Sequence, residues 1–324
     1  MDDNLDHECP CPGNPDERQA FIVDPDAEPI KDAWMPPKKV MIHPKEFWLQ
    51  EQNPNLFQYW HLTNHYFYRK PGPNGTTYDL SSIDPVIFKQ KYIDTEKPFY
   101  RDPNHPELYR DVILDLEMNH VWKTEDVAWW QWTQEYINIA RMMKAAGKPV
   151  AIYGVHLEAL EFQTWWNLGR FTYQSNPDLH PDQTRGKYYA LKLEEYKEKE
   201  YKLMDKLDIL SRRFNPEIDA VVLSLYCPYE ISEKEMYGWK WFAFQFYINS
   251  AVDSYSAAFP GKPIYAFIQP NFTTTWNPMS TKLWNEYFKI VMENDKIDRV
   301  YLFNMRNKEK PKDWERIIRD GYVS

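Results

Sequence analysis

The sequence predicts an α/β fold, a TIM-like (β/α) barrel of seven or eight parallel strands. Three observations favour this fold. Strand-like and helix-like segments alternate from about residue 55, which indicates parallel strands joined by crossover helices. No glycine-rich phosphate-binding loop follows a predicted strand, so the usual mark of an open nucleotide-binding sheet is missing. Polar or aromatic residues follow each predicted strand, an arrangement typical of the mouth of a barrel.

The first fifty residues differ from the remainder of the chain. Residues 1–50 are rich in Pro and Asp and have no sustained helix or strand period, so they cannot bury enough apolar surface to fold alone. We therefore expect an extended or disordered N-terminal arm, followed by a single barrel domain over residues 51–324. Such an arm is suited to contact an assembly partner or a second copy of the chain.

Six segments have the composition of strands, and helices are predicted between and after them. The predicted strands span residues 56–61, 111–117, 150–155, 219–226, 264–269 and 298–304. The predicted helices span residues 124–146, 157–169, 186–213, 232–258, 280–294 and 311–319. Gly147 follows the first of these helices, and a Lys-Pro pair leads into the strands that begin at residues 150 and 264.

Two carboxylates close the second predicted strand. Because a strand alternates its faces, Ile113, Asp115 and Glu117 share one side, and the other side is wholly aliphatic and suits packing under helices. Burying carboxylates without a purpose is costly, and α/β barrels keep their chemistry at the C-terminal ends of their strands. The pair therefore predicts acid catalysis at a glycosidic bond. A surface or salt-bridged pair of acids at a strand end is the alternative interpretation.

Residues at the other strand ends are candidates for the mouth of the barrel. They are Trp60, Tyr153, His156, Tyr226, Gln269, Asn271 and Asn304. The aromatic share of the sequence is 17%, which fits a surface that stacks against sugar rings. Many of these aromatic residues also suit the core, where a buried tyrosine hydroxyl finds a partner.

Charge and composition restrict the classes of partner. The net charge of −9 argues against general binding to nucleic acid. No apolar run approaches the length of a membrane span, and the N-terminus is acidic, so neither a membrane partner nor a secretory signal is expected. This predicts cytoplasmic synthesis and leaves association with a virion open. Cys9, Cys11 and Cys227 are interpreted as free thiols, and no metal or cofactor is predicted.

The order of strand endings resembles that of the hyaluronidase-type glycoside hydrolases, a family of distorted (β/α) barrels. The family's Asp-x-Glu motif is similar to Val112–Glu117 in this chain. Its next strands resemble Ile152–Gly154, Ser224–Pro228 and Pro263–Phe267. Here Leu116 stands where the family has Trp, and the family's disulfides and secretion signal are absent. Chitinase-like barrels are a weaker match, since their motif has a further Asp at the position of Ile113.

The resemblance implies a function and a role for each site residue. Glu117 would be the general acid/base, and Asp115 would orient a substrate N-acetyl group whose oxygen attacks the anomeric carbon. Tyr153 and Tyr226 would donate hydroxyl groups at the mouth. Trp122 and Trp276 would be stacking platforms. The expected substrate is a polysaccharide that contains N-acetylhexosamine; the alternative is a non-catalytic barrel that binds carbohydrate or forms part of a larger assembly such as a virion.

Overall fold

The computed structural model describes residues 39–42, 56–58, 60–63, 112–115, 126–145, 150–153, 158–176, 178 and 185–302. All of these residues belong to the unit Trp34–Ser324. From residue 112 onward, helices lie between successive described strands, and every described pair of neighbouring strands is parallel. The α/β class with a parallel sheet, as predicted from the sequence, is confirmed.

The described strands form one sheet. They are β1 (Lys39–Ile42), β2 (Leu56–Gln58), β3 (Trp60–Thr63), β4 (Val112–Asp115), β5 (Val150–Tyr153), β6 (Ala220–Ser224), β7 (Ile264–Ile268) and β8 (Arg299–Leu302). Their order along the sheet is β2, β1, β8, β7, β6, β5, β4 and β3. Strand β1 pairs with both β2 and β8, so the predicted boundary at residue 50 falls between two strands of this sheet.

Five α-helices connect or precede the described strands. They are α1 (Asp126–Ala145), α2 (Glu158–Ser175), α3 (Gly186–Phe214), α4 (Trp239–Ala258) and α5 (Thr281–Glu293). A short 3₁₀-helix, Glu233–Tyr237, precedes α4. The predicted helix at 311–319 lies outside the described residues.

Two glycines explain where the helices differ from their predicted bounds. The sequence predicts a single helix over 232–258, but Gly238 adopts an extended backbone conformation and separates the 3₁₀-helix from α4. The predicted helix 157–169 instead continues to Ser175. Gly169 does not stop it, because this glycine serves a close helix contact: a Cβ atom there would lie 2.7 Å from the Cβ of Phe246 on α4.

The sheet residues alternate between two separate apolar clusters. Residues such as Val221 and Leu223 pack with the helices in the larger core. Their neighbours along the strands form a smaller cluster on the opposite face of the sheet, here called the inner cluster. It consists of Ile113, Ala151, Tyr153, Ala220, Val222, Tyr265, Phe267 and Tyr301. Because both faces are covered, these strands read as nearly continuous apolar runs.

The same pair of hydrogen bonds occurs twice at the N-terminal ends of the strands. The backbone N–H of Val150 donates to the Asp219 carboxylate at 2.8 Å, and the N–H of Asp219 donates to the Val150 carbonyl at 2.7 Å. Ile264 and Asp298 exchange the equivalent two bonds, both at 2.8 Å. In each case the aspartate directly precedes a strand and satisfies the first N–H of the strand before it in the chain.

Candidate functional site

Four predicted site residues lie along one edge of the sheet. Strands β4, β5, β6 and β7 are consecutive parallel neighbours, so their C-terminal ends lie at the same edge. Asp115 is the last residue of β4 and Tyr153 is the last residue of β5. Tyr226 follows β6 by two residues, and Gln269 directly follows β7.

The two predicted catalytic tyrosines differ in exposure. Tyr153 is 5% exposed and belongs to the inner cluster, where its ring meets Phe267 edge-on with ring centres 5.1 Å apart. Tyr226 is half-buried and packs against the same cluster. Tyr226 is therefore the more accessible of the two at the edge of the sheet.

Two buried tyrosines hold the chain just before Tyr226. The hydroxyl of Tyr247 on α4 donates to the Ser224 carbonyl, and the hydroxyl of Tyr287 on α5 donates to the Leu225 carbonyl. Complete burial raises the pKa of Tyr287 well above its ordinary value, which keeps the hydroxyl protonated as a donor. These two bonds fix the backbone at the exit of β6 and thereby the position from which Tyr226 projects.

The loops after β6 and β7 are joined by hydrogen bonds. The N–H of Thr273 donates to the Cys227 carbonyl at 2.9 Å, and the N–H of Thr274 donates to the Pro228 carbonyl at 3.3 Å. The side chain of Asn277 donates to the Glu230 carboxylate. Segments 225–238 and 269–280 therefore form one connected element, here called the paired loops.

Two amides predicted as substrate-binding residues help to build the paired loops. Gln269 is 2% exposed and donates from Nε2 to the Thr273 hydroxyl at 3.2 Å. Asn271 is 3% exposed and donates from Nδ2 to the Trp276 carbonyl at 3.1 Å. Both side chains hold the loop after β7 in shape and lie just below its surface.

Trp276 has an unusual backbone conformation. Its φ angle is +59°, in the left-handed region that costs a bulky residue about 1–2 kcal/mol. Its N–H donates to the Phe272 carbonyl at 2.8 Å, and its carbonyl accepts the bond from Asn271. The half-buried Trp276 side chain is thus held at one place on the loop. Strain of this kind is concentrated at binding and catalytic sites.

Tyr229 is a site candidate that the sequence reasoning missed. Its side chain lies in the paired loops and is 46% exposed. The ring centres of Phe162 and Trp166 lie 5.7 and 5.1 Å from its own. The signal that could have found it is an aromatic residue three positions after Tyr226, in the loop that follows β6.

The remaining predicted site residues are placed differently. Glu117, Trp122, His156 and Asn304 lie outside the described residues. Trp60 lies in β3 level with Val112, because this strand continues to Thr63 and does not end at 61 as predicted. Thr63 is therefore the β3 residue level with Asp115, at the edge of the sheet.

Cys227 lies in the paired loops. Cys227 is a free, buried thiol, as predicted, and burial raises its pKa, so it stays protonated. Its Sγ donates to the Tyr229 carbonyl at 3.4 Å. Within the described ranges, no group of three or more His, Cys, Asp and Glu side chains is arranged to hold a metal ion. Every helix in those ranges is too short or too polar to cross a membrane.

Comparisons of the chain with protein-family models, with curated protein sequences and with solved structures found no match.

Proposed function

We propose that this protein is a glycoside hydrolase that cleaves a polysaccharide containing N-acetylhexosamine. The observation that carries the proposal is the position of Asp115 at the end of β4, on the edge where Tyr226 and the paired loops also lie. Carboxylates at the C-terminal ends of parallel strands are where α/β enzymes place their chemistry. The likeness to hyaluronidase-type motifs supplies the reaction class.

We further propose that the sheet closes into a barrel. Strands β2 and β3 are separated by Tyr59 alone, yet β2 pairs with β1 and β3 pairs with β4. If β2 and β3 act as one strand, the sheet has no free end and contains seven strands. The inner cluster would then fill the barrel interior, as side chains do in small parallel barrels.

In this proposal the alternation of β4 continues to Glu117, so that the two acids share one face. Ile113 is fully buried in the inner cluster, and strand alternation would give Asp115 the same face because it lies two residues further on. Glu117 follows by another two residues. Both carboxylates would therefore meet the substrate from the inside of the barrel mouth.

The proposed chemistry follows from two acids that are separated by one residue. Glu117 protonates the leaving oxygen and later activates water, and Asp115 orients the acetamido group whose oxygen attacks the anomeric carbon. Repulsion between two neighbouring carboxylates favours a retained proton on one of them, as a general acid requires. Tyr226 donates its hydroxyl to the acetamido group or to the intermediate. Tyr153 contributes mainly by packing, since its ring is buried in the inner cluster.

The function is tested by turnover on N-acetylhexosamine polysaccharides, measured as reducing ends released. Glu117→Gln should lower turnover by at least the ~10²–10⁴-fold that general acid catalysis supplies, with substrate binding retained. Glu198→Gln is the matched control, because Glu198 lies on the outer helix α3 with its side chain 70% exposed. Equal turnover in Glu117→Gln and the control would reject the assignment.

The separate roles of Asp115 and Glu117 are tested by a second comparison. Asp115→Asn should impair hydrolysis of N-acetylated substrates more than that of substrates without the acetyl group, since Asp115 acts through that group. Equal losses on both kinds of substrate would reject the substrate-assisted route and leave an ordinary two-carboxylate glycosidase.

The second candidate function is carbohydrate binding without catalysis, as in a structural component of an assembly such as a virion. It is favoured by the paired loops, whose backbone and amide side chains are fixed by hydrogen bonds in advance of any ligand. Saccharide binding with no turnover in either the unaltered protein or Glu117→Gln would support this function over hydrolysis.

A further inference from the structure

The paired loops carry a surface that the proposed mechanism does not use. It consists of the exposed ring of Tyr229, the carboxylate of Glu230 and the amide of Asn277. Tyr229 is 46% exposed, and Asn277 donates a hydrogen bond to Glu230 across the two loops. An aromatic face beside a carboxylate and an amide offers a sugar ring both a stacking partner and hydrogen-bond partners.

The ring of Tyr229 packs against two aromatic side chains. Phe162 and Trp166 on α2 lie against it with ring centres 5.7 and 5.1 Å away. The backbone of the same residue is fixed by the Cys227 thiol. Such a ring loses little freedom when a ligand stacks on it, so more of the contact energy is available for affinity.

The loop around this surface is fixed at several further points. Ser232 and Glu235 form a capping box at the start of the 3₁₀-helix, and Lys240 forms a 2.7 Å ion pair with Glu235. The Lys240 ammonium also donates to the Glu230 carbonyl at 3.2 Å. Binding at Tyr229 therefore does not require the loop to become ordered first.

The charge at this surface indicates which polysaccharide it accepts. Glu230 directly follows Tyr229 in the chain, and the described partner of its carboxylate is the neutral amide of Asn277. A carboxylate so placed accepts hydrogen bonds from the hydroxyl or acetamido N–H of a neutral sugar, and it repels the carboxylate of a uronic acid.

We propose that Tyr229, Glu230 and Asn277 form a sugar-binding subsite beyond the catalytic mouth, and that this subsite selects neutral N-acetylhexosamine polymers over uronate-bearing ones. The proposal extends the proposed function, because it names the substrate class that the same site accepts.

The subsite is tested by binding, in the full chain carrying Glu117→Gln, so that hydrolysis does not interfere. The probes are N-acetylchitohexaose and a hyaluronan hexasaccharide, titrated by calorimetry. Tyr229→Ala should weaken chitohexaose binding about tenfold, which corresponds to the loss of one favourable aromatic contact. Tyr229→Phe keeps the ring and should bind as before.

Tyr237 provides the matched control for the loss of an exposed ring. It lies in the same loop and is 80% exposed, and its described partner is Lys282. Tyr237→Ala should change chitohexaose affinity less than twofold. Unchanged affinity in Tyr229→Ala, or equal losses in Tyr229→Ala and Tyr237→Ala, would overturn the subsite.

The preference for neutral polymers over uronate-bearing ones is tested by a separate variant. Glu230→Gln keeps the hydrogen bond to Asn277 possible and removes the charge, so hyaluronan hexasaccharide should bind about fivefold more tightly, as expected when two unit charges about 4 Å apart in water no longer repel. Chitohexaose affinity should fall, because a neutral amide oxygen accepts a weaker hydrogen bond from the sugar than a carboxylate does. An unchanged hyaluronan affinity would overturn the selection by charge.

Binding and turnover separate this inference from the proposed function. Turnover that depends on Glu117, with chitohexaose affinity that is independent of Tyr229, would refute the subsite and leave the hydrolase standing. Tyr229-dependent binding with no turnover would support the subsite and reject hydrolysis. Absence of binding to either hexasaccharide would overturn the subsite whatever the turnover.

Discussion

The exit of β6 offers the sharpest test of how the fold positions the site. Two buried tyrosines, Tyr247 and Tyr287, donate to the consecutive carbonyls of Ser224 and Leu225. Replacing either tyrosine with Phe keeps the ring and removes the donor. A buried carbonyl that loses its donor costs about 1–3 kcal/mol, so each variant should lower the free energy of unfolding by about that amount.

The same variants should weaken saccharide binding, because the carbonyls that they release precede Tyr226. Tyr255→Phe is the control: it removes another buried hydroxyl of α4, one that donates to Glu161 on α2 and not to β6. We expect Tyr255→Phe to destabilise the protein as well, while leaving saccharide affinity unchanged. Stability is measured by urea unfolding, and affinity by titration with N-acetylchitohexaose.

The two tyrosines act on adjacent residues, so their effects should be coupled. The double variant Tyr247→Phe/Tyr287→Phe should differ from the sum of the single variants by at least about 0.5 kcal/mol. Full stability in both single variants would refute the role of these hydroxyls. Equal affinity losses in Tyr255→Phe and Tyr287→Phe would show that general destabilisation, and not the position of Tyr226, controls binding.

Three further predictions concern stability. Deleting residues 1–33 should change the thermal midpoint little, whereas deleting residues 1–45 removes β1 from between β2 and β8 and should lower the midpoint clearly; equal midpoints for both truncations would contradict this. Burial raises the pKa of Glu200, so the contribution of this carboxyl to stability is largest at low pH and falls as the pH rises above the ordinary pKa of a glutamate. Glu200→Gln should therefore flatten the dependence of the unfolding free energy on pH, measured by urea unfolding between pH 4 and pH 7. An unaltered dependence would argue against the raised pKa. Gly169→Ala should lower the free energy of unfolding by about 1–3 kcal/mol through overpacking, since the new Cβ would lie 2.7 Å from that of Phe246. An unchanged free energy of unfolding would show that the close contact is unimportant.

The sequence was most informative where strands are buried on both faces. The predicted strands at 219–226 and 264–269 contain β6 and β7, because unbroken apolar runs after a turn leave few other structures open. Helix ends were harder to predict. Gly238 interrupts one predicted helix, whereas Gly169 lies inside another and serves packing, and local sequence does not distinguish these uses.

The positions of candidate residues could be predicted to the extent that they depend on strand ends. Tyr226 and Gln269 were expected at the edge of the sheet because parallel strands deliver their C-terminal residues to one edge. The support beneath them was not predictable: Tyr247 reaches β6 across 23 residues of sequence, and no local pattern carries that information. Trp276 was named as a platform, but its left-handed backbone depends on Asn271 and could not be read from propensities that disfavour a bulky residue there.

The repeated pair of hydrogen bonds at the N-terminal ends of the strands has a consequence for strand register. Asp219 closes the β5–β6 pair in the same way as Asp298 closes the β7–β8 pair, and a Gly-Lys-Pro sequence precedes both β5 and β7. A slip of one residue in either pair would transfer every side chain of the strand to the opposite face of the sheet. Each aspartate therefore holds its strand in the register on which both apolar clusters depend.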